Sequence, residues 1–432
     1  MNQTLIIRGG KPLHGEVTLS GAKNAATKLM IASLLTDEPV ILENCPQLGD
    51  VLITAEICRQ IGSSVEFTSN GARLHTPEIT QTVVKKLTRS NRISVLTLSP
   101  LLHRAGIAEV PVVGGDKIGP RPVNFHIEAL RQMGATITET DQGYRAEAKS
   151  LAGAALKLDY PSVGATETII FAAVLAKGRT TISNAATEPE ILDLIKMLQQ
   201  MGAIIELGAG RTITIDGVER LGGVKYRVMP DRLEAASFAL MAVATDGEIL
   251  VRGARQDDLV TFLNTLRRIG ATYQITDEGI RFRRAGTLLS GIELETDTHP
   301  GFATDWQQPL VVLLTQSNGI SVVHETVYED RFGYTDDLRR MGADIQVFSK
   351  CLGELPCRFR GEQHPHSAII SGPTALHSAI VAIPDIRAGM AHVVAGAIAS
   401  GETKLTGVEE LTRGYENLLE KLESVGLEFT VE

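Results

Sequence analysis

Six times along this chain a helix-forming stretch runs into an apolar residue, a glycine and a short β-rich run. The junctions are Ile61-Gly62, Met133-Gly134, Met201-Gly202, Ile269-Gly270, Met341-Gly342 and Val425-Gly426, with successive glycines 72, 68, 68, 72 and 84 residues apart. Self-similarity at a nearly fixed period sets the architecture before any motif is read. The glycine recurs for a mechanical reason: the residue that ends a helix often takes the left-handed conformation, which only glycine adopts cheaply. Six units in 432 residues divide naturally into two groups of three.

Each unit carries a second, more apolar helix upstream of the amphipathic one, at 24–35, 93–103, 166–176, 233–244, 306–315 and 388–399. These stretches are rich in Ala, Leu and Val almost all round, so each is expected to be buried. The amphipathic helices instead space apolar residues three and four apart, as in Leu259, Phe262, Leu263 and Leu266. Short β-rich segments lie between, at 40–42, 180–183, 248–251, 319–323 and 403–405. One unit is therefore two helices and three or four strands, with the apolar helix inside and the sheet outside.

Composition narrows the function. A net charge of −9 and only 4% aromatic residues argue against nucleic acid or an anionic membrane as partner. The opening MNQTLIIRGG lacks the basic and long apolar regions of a secretory signal, and no apolar run approaches the ~18 residues of a membrane helix. A cytoplasmic protein is expected. Cys45, Cys58, Cys351 and Cys357 fit no zinc spacing and read as unpaired, buried small hydrophobes; no metal and no cofactor is expected.

A second regularity bears on chemistry. Lys23, Arg92, Arg232, Asp305 and Arg387 stand at the starts of the apolar helices. A helix N-terminus presents unpaired N–H groups and the positive end of the macrodipole, so a cation there is locally unfavourable. A bound anion would account for it. Three segments depart from the repeat: Ser20 to Ala26 around Lys23 and Asn24; the glycine- and proline-rich loop from Gly114 to His126; and His299 to Gln307, with Asp305 at a helix mouth.

The motifs SGAKNAA, GG-x-x-IG-x-RPV, LDYPSVGAT, RLGG-x-x-YRV-x-PDR, PGF-x-TD-x-Q, ETV-x-E-x-RF, D-x-RAG and RGYE occur in that order from Gly10 to Val431. They resemble the UDP-N-acetylglucosamine enolpyruvyl (1-carboxyvinyl) transferase family. The resemblance implies an α/β fold of two inside-out α/β barrel domains, three units in each. The lobes would be 22–230, and 1–21 plus 231–432, with the active site in the cleft between them. It also implies transfer of the enolpyruvyl group of phosphoenolpyruvate to the sugar 3-hydroxyl of UDP-N-acetylglucosamine, with release of phosphate, as the first committed step of peptidoglycan precursor synthesis. Partners would be these two small molecules alone.

By the same resemblance, Lys23, Asn24, Arg121, Arg331, Arg387 and Arg413 would bind phosphoenolpyruvate. Arg92, Arg121, Pro122, Val123, Asn124, Phe125, Ser162, Val163, Gly164, Asp305 and Val327 would hold the nucleotide sugar. Asp305 would take the hydroxyl proton; Asp116, with Lys23 as a rival, would supply the proton to the methylene carbon. Some positions depart from the family. Asp116 stands where most members carry the cysteine attacked by the epoxide fosfomycin, Asn124 and Thr412 replace aspartates, and Ser90-Asn91-Arg92-Ile93-Ser94 is an unusual version of its element. These leave open a related transferase with another acceptor, or a nucleotide-sugar binder without turnover.

Overall fold

The protein is described here by a computed structural model covering residues 3–432 apart from 86, 89, 90, 113, 115–122, 285 and 287. It divides into two compact units: a first unit from Gly21 to Met229, the 115–122 stretch aside, and a second made of the chain up to Ser20 with Pro230–Glu432. Each has its own continuous apolar core.

All six glycines end their helices with positive φ, from 81° at Gly426 to 126° at Gly62. At every junction the N–H one residue past the glycine donates to the carbonyl five residues back: Ser63 to Cys58, Ala135 to Leu130, Ala203 to Leu198, Ala271 to Leu266, Ala343 to Leu338 and Leu427 to Leu422. This bond satisfies a carbonyl that the helix end leaves without a partner. It also turns the chain directly into the next strand.

The expected apolar helices form, several with a 3-10 turn at one end. They are Lys23–Ala32, Leu98–Ala105 (after the 3-10 turn Ile93–Thr97), Val163–Ala173, Arg232–Ala244, Gln307–Leu314 and Ile386–Ile398. Every residue of Arg232–Ala244 is buried. In the second unit this helix packs against Gln307–Leu314 and Ile386–Ile398, which also pack on each other. Each large apolar side chain so buried contributes about 1.5–3 kcal/mol. Gly389 lets the helix Ile386–Ile398 sit close to its surroundings: a Cβ there would stand 2.6 Å from the Ile383 side chain and 2.8 Å from that of Leu411.

The sheets follow one plan, seen in Glu293–Glu295, Gly319–His324, Ser367–Gly372 and Asp344–Phe348, in that spatial order. An entry strand pairs in parallel across the buried helix, and a closing antiparallel pair follows the amphipathic helix. Five sheets have four strands and one has three among the described residues. In the latter a parallel bridge from Val83 to Glu109 takes the entry position.

Two features escape the simple repeat. The entry strands of the two units are exchanged along the chain: His14–Thr18, which leads into the first unit, pairs with Glu248–Arg252, whereas Val224–Arg227, which leads into the second, pairs with Val40–Glu43. The last repeat obtains its fourth strand from the beginning of the sequence, because Thr4–Arg8 lies between Glu402–Thr406 and Glu428–Val431. The expectation of buried small hydrophobes holds for Cys45 and Cys58 but fails for Cys351 and Cys357. These two lie half-buried in the segment 349–366, which contains no helix or strand and so offers no regular face to pack them.

A test of the turn is Gly202→Ala, where φ is 105° and an added Cβ would meet nothing within 4 Å. Its cost is therefore purely conformational. Urea denaturation should show a loss of about 1–2 kcal/mol.

Candidate active site

Asp305 lies in the turn Thr304–Trp306 that opens the helix Gln307–Leu314. Its carboxylate accepts a hydrogen bond from Arg331 Nη2 and lies 3.4 Å from Arg387 Nε. Both arginines are about 95% buried, at 5% and 6% exposure, so their charges need partners on the spot. Burial works against the Arg387 charge, but the Tyr415 hydroxyl, Asp305 and Asp231 outweigh it and hold its pKa above the ordinary value. For Arg331, burial is likewise outweighed by Asp305, Glu325 and Asp385.

Further groups fix these three. Arg387 Nη1 donates to the Tyr415 hydroxyl at 3.1 Å, which is 2.8 Å from Ser237 Oγ. Glu325, wholly buried, accepts the N–H groups of Val327 and Tyr328 at 2.9 and 3.1 Å and the Thr304 hydroxyl at 3.0 Å. Burial pushes its carboxyl up, against the pull of Arg331 and these donors. The backbone at Val327 is thereby held in place. Asp385 and Asp231 cap the helices that begin beside Arg387 and Arg232, each accepting two backbone N–H bonds. The guanidinium of Arg232 lies 5.3 Å from the ring centre of Trp306, which is core, as its size suggests. Arg413 ends the 3-10 stretch Val408–Arg413 with Nη1 2.6 Å from Glu410 Oε2.

In the first unit Lys23 opens the helix Lys23–Ala32, and its Nζ is 2.9 Å from Asp50 Oδ2. Asn24 follows it. Ser162 caps the helix Val163–Ala173, its Oγ accepting from the Ala165 N–H. A Cβ on Gly164 would stand 2.9 Å from His126 Cε1, so the imidazole needs a glycine there. His126 Nδ1 is 2.7 Å from Thr168 Oγ1. Burial, and secondarily the charge of Arg92, bring its pKa down to about 3, so the ring is neutral. Asn124 and Phe125 open the helix Asn124–Gln132, with Val123 before them, and His126 ties that start to Ser162-Val163-Gly164. Within the helix Val163–Ala173, burial pushes the Glu167 carboxyl up to about 7 although Lys28 Nζ is 3.9 Å away.

Of the residues expected at the site, Asp305, Arg331 and Arg387 form one cluster; Gly164 packs against His126, which follows Asn124 and Phe125 in its helix and feels the charge of Arg92. Asp116, Arg121 and Pro122 lie outside the described residues. Sequence reasoning missed Asp50, Ser237, Glu325 and Tyr415 as partners, and the two capping aspartates. The last were recoverable, because aspartate just before a helix start is a strong N-cap signal. Chemically, a carboxylate between two buried guanidiniums can accept a proton beside a place where an anion's oxygens would be held in pairs.

The model of the family described as EPSP synthase (3-phosphoshikimate 1-carboxyvinyltransferase) matches residues 7–422. Proteins named UDP-N-acetylglucosamine 1-carboxyvinyltransferase from Protochlamydia amoebophila and Chlamydia abortus are each 48% identical; the alignments cover 98% and 97% of this chain and 93% and 96% of theirs. Among solved structures, the enolpyruvyl transferase NikO from Streptomyces tendae superposes with a TM-score of 0.86 at 22% identity, covering 100% of this chain and 99% of its own. EPSP synthase from Acinetobacter baumannii gives 0.76 at 20% identity, covering 100% of both. These two support the two-domain α/β fold. The chain belongs to the enolpyruvyl transferase family, in the group of UDP-N-acetylglucosamine 1-carboxyvinyltransferases.

Proposed function

We propose that this protein transfers the enolpyruvyl group of phosphoenolpyruvate to the 3-hydroxyl of UDP-N-acetylglucosamine, releasing phosphate, in the cytoplasmic synthesis of peptidoglycan precursors. Residues 22–230 and 1–21 plus 231–432 would act as the two lobes. The observation that best supports this reading is Asp305 held between buried Arg331 and Arg387.

The reaction is an addition followed by an elimination. Asp305 takes the proton of the sugar hydroxyl while its oxygen bonds to C2 of phosphoenolpyruvate and an acid protonates C3. Loss of a proton from C3 then expels phosphate and restores the double bond. The substrates crowd several negative charges together; two unit charges ~6 Å apart repel by about 3 kcal/mol at an effective dielectric of ~20. Lys23, Asn24, Arg121 and Arg413 would hold the phosphate end of phosphoenolpyruvate, and Arg331 and Arg387 its carboxylate. A carboxylate arriving there competes with Asp305 for the same guanidinium donors. Binding of one substrate would thus open the Asp305 oxygen to the hydroxyl of the other. Arg92, Arg121 to Phe125, Ser162 to Gly164 and Val327 would position the nucleotide sugar. Asp116 is the proposed acid, with Lys23, held by Asp50, as the alternative donor.

Purified protein given both substrates should release phosphate, and Asp305→Ala should lose about 10²–10⁴-fold of that rate. A folded protein that releases none, or that makes product only from another acceptor by mass spectrometry, would overturn the reading. Tyr415→Phe removes the hydroxyl between Arg387 and Ser237. Steady-state kinetics should show the KM for phosphoenolpyruvate raised about fivefold, the equivalent of ~1 kcal/mol. With aspartate at position 116 the chain offers the epoxide no thiol at this loop. Fosfomycin should leave the rate unchanged, and intact-mass measurement should find no adduct.

A further inference from the structure

The segment 349–366 separates the closing strands Asp344–Phe348 and Ser367–Gly372, where other repeats turn in a few residues, as between Ser64–Thr68 and Gly71–His75. It contains no helix or strand, and Phe359 is its one buried large apolar side chain. Something other than a core has to hold it. Within it, Cys351 and Cys357 face His324, at the end of Gly319–His324, and His366, just before the final strand. One donor atom from each of the four lies within 4.8 Å of the others.

We propose that Cys351, Cys357, His324 and His366 bind a zinc ion that fastens this segment to the sheet. The second layer of contacts carries the assignment. His324 Nδ1 donates to Glu295 Oε2 at 2.8 Å, and His366 Nδ1 donates to the His364 carbonyl at 2.6 Å. Each ring therefore carries its proton on Nδ1 and turns the lone pair of Nε2 toward the sulfurs, the arrangement that orients metal-bound histidines. His324 Nε2 is fully buried and has no hydrogen-bond partner among the described residues. His366 Nε2 lies 3.3 Å from Cys351 Sγ. Adjacent ligands of a tetrahedral zinc site stand about 3.3–3.8 Å apart, given Zn–S of ~2.3 Å and Zn–N of ~2.0 Å. Side-chain rotations of about 1 Å would close the remaining gap.

Glu295 is itself locked. It accepts the N–H groups of Glu354 and Leu355 at 2.8 and 3.0 Å, and a Cβ on Gly353 would come within 2.3 Å of its carboxyl carbon. The segment is thus built around the carboxylate that aims His324. On binding, both thiols lose their protons and the two thiolates balance the ion's charge, which suits a half-buried place. Four protein ligands leave no open position, so the role is structural. Beyond the ion, Arg358 donates to the Val327 carbonyl and lies 3.6 Å from Glu329, so the fastened segment braces the loop that carries Val327.

The test needs no transferase assay. Tag-free full-length protein, purified reduced and without chelator, should carry about one equivalent of zinc by elemental analysis. Replacement by Co²⁺ should give the intense visible bands and thiolate charge transfer of a tetrahedral two-sulfur, two-nitrogen site. The double variant Cys351→Ser, Cys357→Ser should lose both and unfold several degrees lower. Should it not fold, the cobalt titration of the wild-type chain decides. Reduced wild-type protein that takes up neither zinc nor cobalt, cobalt spectra without thiolate bands, or a Cys351–Cys357 disulfide in peptide maps of freshly lysed cells would each overturn the proposal.

Discussion

A helix buried on every side can carry charge only at its ends, and that constraint organises this molecule. Arg232–Ala244 and Ile386–Ile398 are enclosed along their lengths, and their ionisable groups gather in the first turn. The single interior exception, His392, has Nε2 3.3 Å from Asp337 Oδ2. Cations at a positive helix end are unfavourable, and here each is offset by an aspartate that also caps the backbone: Asp231 beside Arg232, and Asp385 beside Arg387. Lys23, with no cap before it, is offset by Asp50 from a neighbouring helix. Functional charge therefore collects at helix mouths because the packed shafts exclude it.

The same logic explains the division of labour between repeats. The third repeat has no cation at its helix start but a serine cap and a glycine against which neutral His126 packs. That mouth offers backbone N–H groups beside a neutral ring. In the fifth repeat an aspartate takes the position, clasped by arginines from elsewhere in its unit. One scaffold thus supplies cation, neutral donor and carboxylate by changing only the first turn of a common helix.

Much of this was legible in the residue order, because period and local chemistry are local properties. The six glycine turns and the strands 180–183 and 248–251 emerge within a residue of their expected bounds, and the apolar helices, with their 3-10 turns, within two, except that the helix expected at 166–176 runs from Val163 to Ala173. What escaped depends on distant pairing. No pattern within a repeat indicates that Val224–Arg227 closes the sheet of Val40–Glu43, or that Tyr415 meets Arg387. Cys351 and Cys357 are half-buried rather than buried for a related reason: their histidine neighbours come from strand ends, and spacing along the chain does not show side chains gathered by a sheet.

The strand Thr4–Arg8 has a consequence for how the chain comes into being. It is made before the whole Gly21–Met229 unit, yet its neighbours Glu402–Thr406 and Glu428–Val431 are made after that unit and most of the second. The unit from Gly21 to Met229 can complete all its sheets while synthesis continues, since Val224–Arg227 arrives in time to close it. The strand Thr4–Arg8 must wait through synthesis of the residues between with its edges unpaired, the condition that invites mispairing. Its short length and the flanking Arg8, Gly9, Gly10 and Lys11 suit a segment that has to stay soluble until its partners appear.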